Sequence, residues 1–222
     1  QRGNFGVGLT RSLVESFVMK NGLPIYATAS GYAGDDYIED VRKDRDGRLH
    51  LFLKEPGQKN VLVNIGSGTH YTLIEPIPSI WESDREIKYT TGYSIRKGIS
   101  YDGLQTNNGQ AYTGSITFRA SEAYLNYIEA CYEKNQSLDA KAQSYWRALR
   151  TRAQVEPDYN VTIAATQMQK ETRDWGAYSA GQLIAPTLYN IRRERRSELM
   201  AEGLRLMDLK RWRAMDQLIS TA

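Results

Sequence analysis

The sequence has few of the residues that build disulfides, metal sites and histidine-based catalytic sites. Its 222 residues include one cysteine, Cys131, and two histidines, His50 and His70. A single cysteine excludes an internal disulfide and a cysteine-rich metal site. The histidines are isolated in the sequence, and Cys131 falls within a predicted helix, so no Cys–His pair is indicated. We therefore expect no catalytic set, no metal site and no cofactor.

Long apolar runs are also missing. No stretch approaches the roughly 18–20 residues needed to span a bilayer. Gln1 opens directly into a polar, glycine-rich stretch without the basic and apolar regions of a signal peptide. Any signal peptide is therefore expected to have been removed or to lie outside this chain. The composition, 41% hydrophobic with 15 Tyr and 4 Trp, is that of a globular protein with a real core.

The chain has little excess charge of either sign. It has 29 basic and 26 acidic residues, for a net charge of +3. A dedicated nucleic-acid binder is usually more lopsided, so no nucleic acid is expected as a partner. The excess is local, because residues 191–213 contain eight bases and four acids.

The composition changes near residue 120. Fifteen of the 18 glycines precede it, and the chain after it reads as successive helices. We expect a mainly α fold with a loop-rich region of short helices and strands at 1–120 and a helical region at 121–222. Short β-branched or aromatic runs predict strands at 48–53, 61–65 and 71–77.

Apolar spacings of three and four predict the helices of the second region. Helices at 121–134 and 138–153, joined by a short turn, form an antiparallel hairpin like a tetratricopeptide unit. Ser121 and Asp158 are the expected N-caps. Further helices are expected at 158–170, 182–202 and 204–219.

The helix at 182–202 carries charges on its apolar side. The stripe of Leu188, Ile191 and Leu199 continues through Arg195, Glu198 and Glu202. An unpaired buried charge costs several kcal/mol, so these residues need partners such as Arg119 or Arg205. A solvated charged face is the alternative. The nearby Trp212 favours a buried, structural charge ladder, with Trp212 packed against the helical hairpin.

The same segment carries a family resemblance. IRRERRSELMAEGLRLMDLKRW, residues 191–212, closely resembles the C-terminal signature of the SusD/RagB family. Four companion stretches follow the family in the expected order. They are SLVESFVMKNGLPI (12–25), RDGRL (45–49), TGYSIRKG (91–98) and ITFRASEAYLNYIEA (116–130).

The resemblance implies a tetratricopeptide-like helical scaffold of the SusD type and a non-catalytic surface lipoprotein of Bacteroidetes. Such proteins capture nutrients at the outer membrane, so the implied partners are an oligosaccharide or polysaccharide and a SusC-like TonB-dependent transporter. Family members are more than twice this long and begin with a signal peptide and a lipidated cysteine. The resemblance therefore implies that residues 1–120 and 121–222 together form one incomplete SusD-like domain. We therefore expect the anchoring cysteine upstream, and membrane contact only through that lipid, which is absent from this chain.

Aromatic residues in polar loops are the candidate glycan contacts. Sugar rings have apolar faces that stack on Trp and Tyr, while their hydroxyls need polar groups at the rim. Family ligand contacts lie largely in loops that differ between members, so composition alone selects the candidates. They are Trp81 and Trp175 as platforms, with Asp84, Arg85, Asn107 and Tyr178 beside them. The alternative for each is an ordinary loop residue packed onto the helices.

Two other functions stay open at this point. Tetratricopeptide-like hairpins are binding scaffolds, so the chain could be a protein–protein interaction module or a family member that binds peptides.

Two segments resemble known binding motifs but lack the residues that those motifs need. The segment 44–47 lacks the ligand register of a calcium loop, and 66–68 lacks the remaining residues of a phosphate loop.

Overall fold

The computed structural model describes residues 8–60, 74–78, 91–98, 100–106, 109–112, 114 and 116–218. These residues form two compact units. The first contains the chain up to Arg11, Gly34–Arg42 and His50–Thr117; the second contains Ser12–Ala33, Lys43–Leu49 and the chain from Phe118 on. The predicted division at residue 120 stays a prediction.

The described residues are mainly helical, which confirms the expected fold class. Their α-helices are α1 (Arg11–Ser16), α2 (Ile38–Arg42), α3 (Gly47–Phe52), α4 (Ala120–Asn135), α5 (Ala140–Arg152), α6 (Tyr159–Ala165), α7 (Pro186–Glu198) and α8 (Arg205–Arg211). Two short strands, β1 (Tyr178–Ser179) and β2 (Gln182–Leu183), pair in antiparallel fashion. Single 3-10 turns occur at Gly103–Thr106, Met168–Lys170, Trp175–Ala177 and Asp216–Leu218.

The second unit is built on the α4–α5 hairpin that the apolar spacing predicted. Leu125 and Ile128 of α4 share a buried cluster with Trp146 of α5 and Ile191 of α7. The indole of Trp146 also stacks on the ring of Tyr159 in α6, with centroids 4.2 Å apart. Because these large side chains are almost fully buried, the four helices form one core, and that core fixes the orientation of α7.

The helix caps match the sequence at one site and differ at another. The side chain of Asp158 accepts a hydrogen bond from the backbone N–H of Asn160, as expected for the cap of α6. The prediction of Ser121 as the cap of α4 is wrong. Arg119 occupies that position with extended backbone and no capping side-chain bond, while the Ser121 hydroxyl accepts a hydrogen bond from the Arg119 guanidinium.

The predicted strand at 48–53 is also wrong, because most of that run lies in α3. The carboxylate of Asp46 accepts a hydrogen bond from the backbone N–H of Arg48 at 2.9 Å, which stabilises the first turn of a helix. Only Leu53 has strand character, as an isolated bridge to Ile95. The predicted strand at 61–65 and residues 71–73 of the third lie outside the described residues, and Ile74 forms an isolated bridge to Lys59.

α7 is shorter than the helix predicted at 182–202. The chain first makes the β1–β2 hairpin, whose turn places Ala180 and Gly181 at φ of 50° and 77°. The helix then begins at Pro186, where a fixed φ and a missing N–H suit the first turn. The Trp175–Ala177 turn, which leads into this hairpin, packs beside α7.

Candidate functional site

α7 buries an unusual number of charges. Five charged side chains of this helix each expose 5% or less of their surface: Arg192, Arg193, Glu194, Arg195 and Glu198. A buried charge without a partner costs several kcal/mol. Each of the five has ionic or hydrogen-bonding partners within the second unit, so α7 is the centre of a buried ion-pair network.

Glu198 binds arginines from three other segments. Its carboxylate lies 3.1 Å from the guanidinium of Arg48, 2.5 Å from that of Arg119 and 2.5 Å from that of Arg152. Burial alone would raise the pKa of Glu198. The arginines outweigh burial and lower that pKa to about 2. Glu198 is therefore a permanent anion that ties α4, α5 and the 43–49 segment to α7.

Glu194, one turn earlier, holds the centre of the core. Its carboxylate accepts a hydrogen bond from the indole N–H of Trp146 at 3.0 Å and lies 2.7 Å from the guanidinium of Arg48. Arg150 donates at 3.4 Å to the same carboxylate oxygen, Oε2, that accepts from Trp146. Burial would raise the pKa of Glu194, but Arg48 and Arg150 lower it overall. Glu194 and Glu198 are thus both ionised and paired with arginines.

Of the remaining members of the predicted charge ladder, Arg195 has partners other than the expected ones, whereas Glu202 has an expected one. Arg195 is buried and donates to Asp208 and to Asn126, each at 2.8 Å. Glu202 is partly exposed and lies 2.7 Å from the guanidinium of Arg119. Arg119 therefore bridges Glu198 and Glu202, as the sequence suggested. That these residues serve structure alone stays a prediction.

Trp212 packs against the helical hairpin through a polar and a cationic contact. Only 4% of its surface is exposed, and its indole N–H donates to the carboxylate of Glu129 in α4. The guanidinium of Arg192 lies 4.6 Å from the ring centroid, and that of Arg211 lies 4.8 Å away. These cation–π contacts help to hold the end of the chain on α4 and α7.

Trp175 is the exposed aromatic residue of this unit that the sequence selected. It opens the 3-10 turn Trp175–Ala177, and 41% of its surface is accessible. The turn is capped by Asp174, whose carboxylate accepts a hydrogen bond from the backbone N–H of Gly176 at 2.9 Å. Trp175 therefore presents its indole to solvent from a constrained backbone.

The charge network holds this turn in place. Asp174 is buried and paired with Arg196 of α7 at 2.9 Å and with Arg205 of α8. Burial would raise the pKa of Asp174, but Arg196 and Arg205 lower it. Arg192, which also lies in α7, donates to the backbone oxygen of Tyr178 at 3.0 Å. The turn that carries Trp175 is thus fixed to α7 through two arginines.

Tyr178 has a different environment from Trp175. Its side chain is partly buried and packs against a cluster formed by Met168, Ala177 and Tyr189. Its ring therefore packs beneath the turn and offers less surface for a ligand than Trp175 does. The other candidates lie outside the described residues: Trp81, Asp84, Arg85 and Asn107.

The first unit contains an exposed aromatic residue close in sequence to Asn107. Tyr101 is 39% exposed, and the guanidinium of Arg96 lies 5.0 Å from its ring centroid. The carboxylate of the next residue, Asp102, accepts from the backbone N–H of Leu104 at 3.0 Å. The sequence signal for this surface was the polar loop after residue 100.

Another aromatic group was not selected from the sequence, because the helical spacing places Tyr124 and Tyr145 on apolar faces and leaves Tyr127 outside them. Tyr124 and Tyr127 of α4 lie beside Tyr145 of α5 at the surface of the hairpin. An i, i+3 tyrosine pair opposite a third tyrosine was the available signal.

Other kinds of site find no support in the part of the chain that the structure describes. Among those residues, no group of three or more His, Cys, Asp or Glu side chains is placed to hold a metal ion. None of the described helices has the length and apolar character needed to cross a membrane. An open pocket of about 350 Å³ lies between α4 and α8, and Asn126, Glu133 and Arg211 are in its wall.

The fold and the site define a helical-hairpin scaffold protein in which a buried ion-pair network supports an exposed aromatic turn. The chain belongs to the SusD family, whose model matches residues 1–222. No curated protein matches the sequence.

Two solved structures share the fold. A SusD-like protein from Bacteroides fragilis NCTC 9343 superposes with a TM-score of 0.56 at 22% identity, over 96% of this chain and 37% of the other. A SusD-like carbohydrate binding protein from the same organism gives a TM-score of 0.55 at 22% identity, over 91% and 35%. The chain thus spans little more than a third of the length of these structures.

Proposed function

We propose that this protein is a non-catalytic glycan receptor of the outer membrane. In this proposal the protein is a surface lipoprotein that captures oligosaccharide or polysaccharide and delivers it to a SusC-like TonB-dependent transporter. Membership of the SusD family supports it, and so does the fold shared with a SusD-like carbohydrate binding protein. The lipid anchor and the transporter enter through the family resemblance.

Trp175 is the observation that carries the proposal. A sugar ring needs a flat apolar surface that is open to solvent and does not collapse onto the protein. The indole of Trp175 is 41% exposed, and its backbone is held by the buried pairs of Asp174 with Arg196 and Arg205. Holding a platform in place before binding reduces the entropy lost when the ligand docks.

Polar groups flank this platform in the sequence. Thr172, Arg173 and Gln182 are exposed, and 72% of the Arg173 side chain is accessible. They offer hydroxyl, guanidinium and amide groups for sugar hydroxyls. An aromatic contact of this kind contributes about 1 kcal/mol beyond its buried area, so two or three platforms strengthen binding by roughly 30- to 150-fold. Weak binding suits a receptor that must release its cargo.

The carboxylates of α7 support a non-catalytic role. Glycoside hydrolysis needs a carboxylic acid that is protonated near neutral pH. The pKa values of Glu194 and Glu198 are instead lowered by arginines, and both side chains are buried. Neither can donate a proton to a glycosidic oxygen under ordinary conditions.

Affinity electrophoresis and product analysis test this proposal. The protein is run in native gels that contain soluble starch, xylan, laminarin or polygalacturonate, and the same mixtures are chromatographed for released sugars. We expect retardation by at least one polysaccharide, reduced in Trp175→Ala, with no released sugar. Leu183→Ala removes an exposed apolar residue of the adjacent hairpin and serves as the matched control. Retardation by none of the four, or sugar release at enzymatic rates, would contradict the proposal.

A further inference from the structure

The α4–α5 hairpin carries three tyrosines in mutual contact. The rings of Tyr124 and Tyr145 stack with centroids 4.0 Å apart and planes 6° from parallel. Tyr127 meets Tyr145 edge-on, with centroids 5.7 Å apart and planes at 78°. Tyr124 and Tyr145 are partly buried against the core, whereas 36% of Tyr127 is exposed. The cluster is therefore rooted in the core and opens to solvent at Tyr127.

Tyr127 is held in one orientation by neighbouring side chains. Its hydroxyl donates to the carboxylate of Asp139 at 2.7 Å. Asp139 is itself fixed, because it caps α5 by accepting from the backbone N–H of Ala142 at 2.7 Å. The ammonium of Lys141 lies 5.1 Å from the ring centroid of Tyr127 and 5.7 Å from that of Tyr145.

This arrangement differs from that of an ordinary exposed tyrosine. A single exposed aromatic residue is common and needs no explanation. Packing of the core accounts for Tyr124 and Tyr145, but it does not account for the contacts that fix the exposed ring of Tyr127. A rigid, amphipathic ring binds ligands at low entropic cost, which is why tyrosine dominates many binding surfaces.

We propose that Tyr127, Lys141 and Asp139 form a second saccharide platform, separate from Trp175. This inference rests on the proposed glycan-receptor function. The exposed part of the Tyr127 ring offers an apolar contact, while Lys141 supplies hydrogen-bond donors and Asp139 an acceptor for sugar hydroxyls. The two charged groups that contact the ring are of opposite sign, so they give no net attraction for an anionic chain. The expected ligand is a neutral oligosaccharide or polysaccharide.

Affinity electrophoresis with Tyr127→Ala tests the platform. The probes are soluble starch, xylan and laminarin as neutral polysaccharides and polygalacturonate as an acidic one. We expect the dissociation constant for the retarding neutral polysaccharide to rise about three- to tenfold in Tyr127→Ala. Tyr127→Phe keeps the ring and the fold and is expected to lose less. Tyr37→Ala, which removes a tyrosine that is 72% exposed elsewhere, is the matched control and is expected to bind like the parent.

The outcomes separate this inference from the function on which it rests. If the parent binds a neutral polysaccharide and Tyr127→Ala binds it equally well, the second platform is refuted and the receptor function stands. The same holds if only polygalacturonate binds and Tyr127→Ala does not change it. If the parent binds none of the four, both proposals fail. A matching loss in Tyr37→Ala would also refute the platform, because the effect would not be specific to the cluster.

Discussion

Replacing Glu198 by alanine is expected to destabilise the protein strongly. The carboxylate lies within 3.1 Å of Arg48, Arg119 and Arg152, and only 3% of the side chain is exposed. Breaking a buried ion pair by removing one partner costs about 3–5 kcal/mol, because the other charge is left without compensation.

The structure places the expected cost at the lower end of that range. Arg48 keeps Asp46 at 2.6 Å, and Arg119 keeps Glu202 at 2.7 Å, so neither arginine is fully stranded. The pKa of Glu198 gives a similar figure. A fall from 4.5 to about 2 corresponds to roughly 3 kcal/mol of stabilisation of the anion in the folded state.

Thermal unfolding measures this effect. For a chain of this size, about 3 kcal/mol corresponds to a fall in Tm of about 6–12 °C. Asp35→Ala is the matched control, because Asp35 pairs with Arg11 at 2.5 Å with both side chains exposed, 36% and 61%, and an exposed pair contributes less than about 1 kcal/mol. If Glu198→Ala melts within 2 °C of the parent, the charges are effectively solvated and the reasoning is wrong.

Two further predictions follow from the same core. The contribution of Glu198 to the free energy of unfolding is expected to be constant from neutral pH down to about 4.5 and then to fall towards pH 2. The reason is that the pKa of Glu198 is lower in the folded than in the unfolded chain, so the unfolded chain takes up the proton first. Urea unfolding at pH 7 and pH 3 measures the difference, and equal stability would contradict the prediction. Trp146→Ala is expected to lower the free energy of unfolding by about 3–5 kcal/mol, since this indole is 1% exposed and donates to Glu194. A chemical denaturation midpoint close to that of the parent would show that Trp146 is not central to the core.

The helices of the second unit could be predicted because their signal is local. The spacing of Leu125 and Ile128 specifies one face of α4, and Asp158 is followed directly by the helix that it caps. The prediction of a strand at 48–53 was wrong because the conformation of this segment depends on Asp46, which lies just before it. The predicted start of the helix at 182–202 was wrong because a pattern of apolar residues does not detect the turn at Ala180 and Gly181.

The partners of the charged residues could be predicted only in part. The sequence showed that Glu198 needed a counter-charge, and Arg119 was named among the candidates. Arg48 was not, because it lies 150 residues away along the chain, and its burial depends on tertiary packing. The candidate site, too, could be predicted only in part. Trp175 could be selected by composition, whereas its support by Arg196 and Arg205 depends on where α7 and α8 pack.

Calorimetric titration of the parent and Trp175→Ala with the polysaccharide that retards the parent tests the account most directly. In the proposed function the buried charges of α7 provide stability, and the exposed indole of Trp175 provides binding. Trp175→Ala is expected to bind about three- to tenfold more weakly than the parent and to stay folded at the titration temperature, because the ion pairs of Asp174 with Arg196 and Arg205 hold the turn without the indole. Unchanged affinity in a folded Trp175→Ala protein would contradict it.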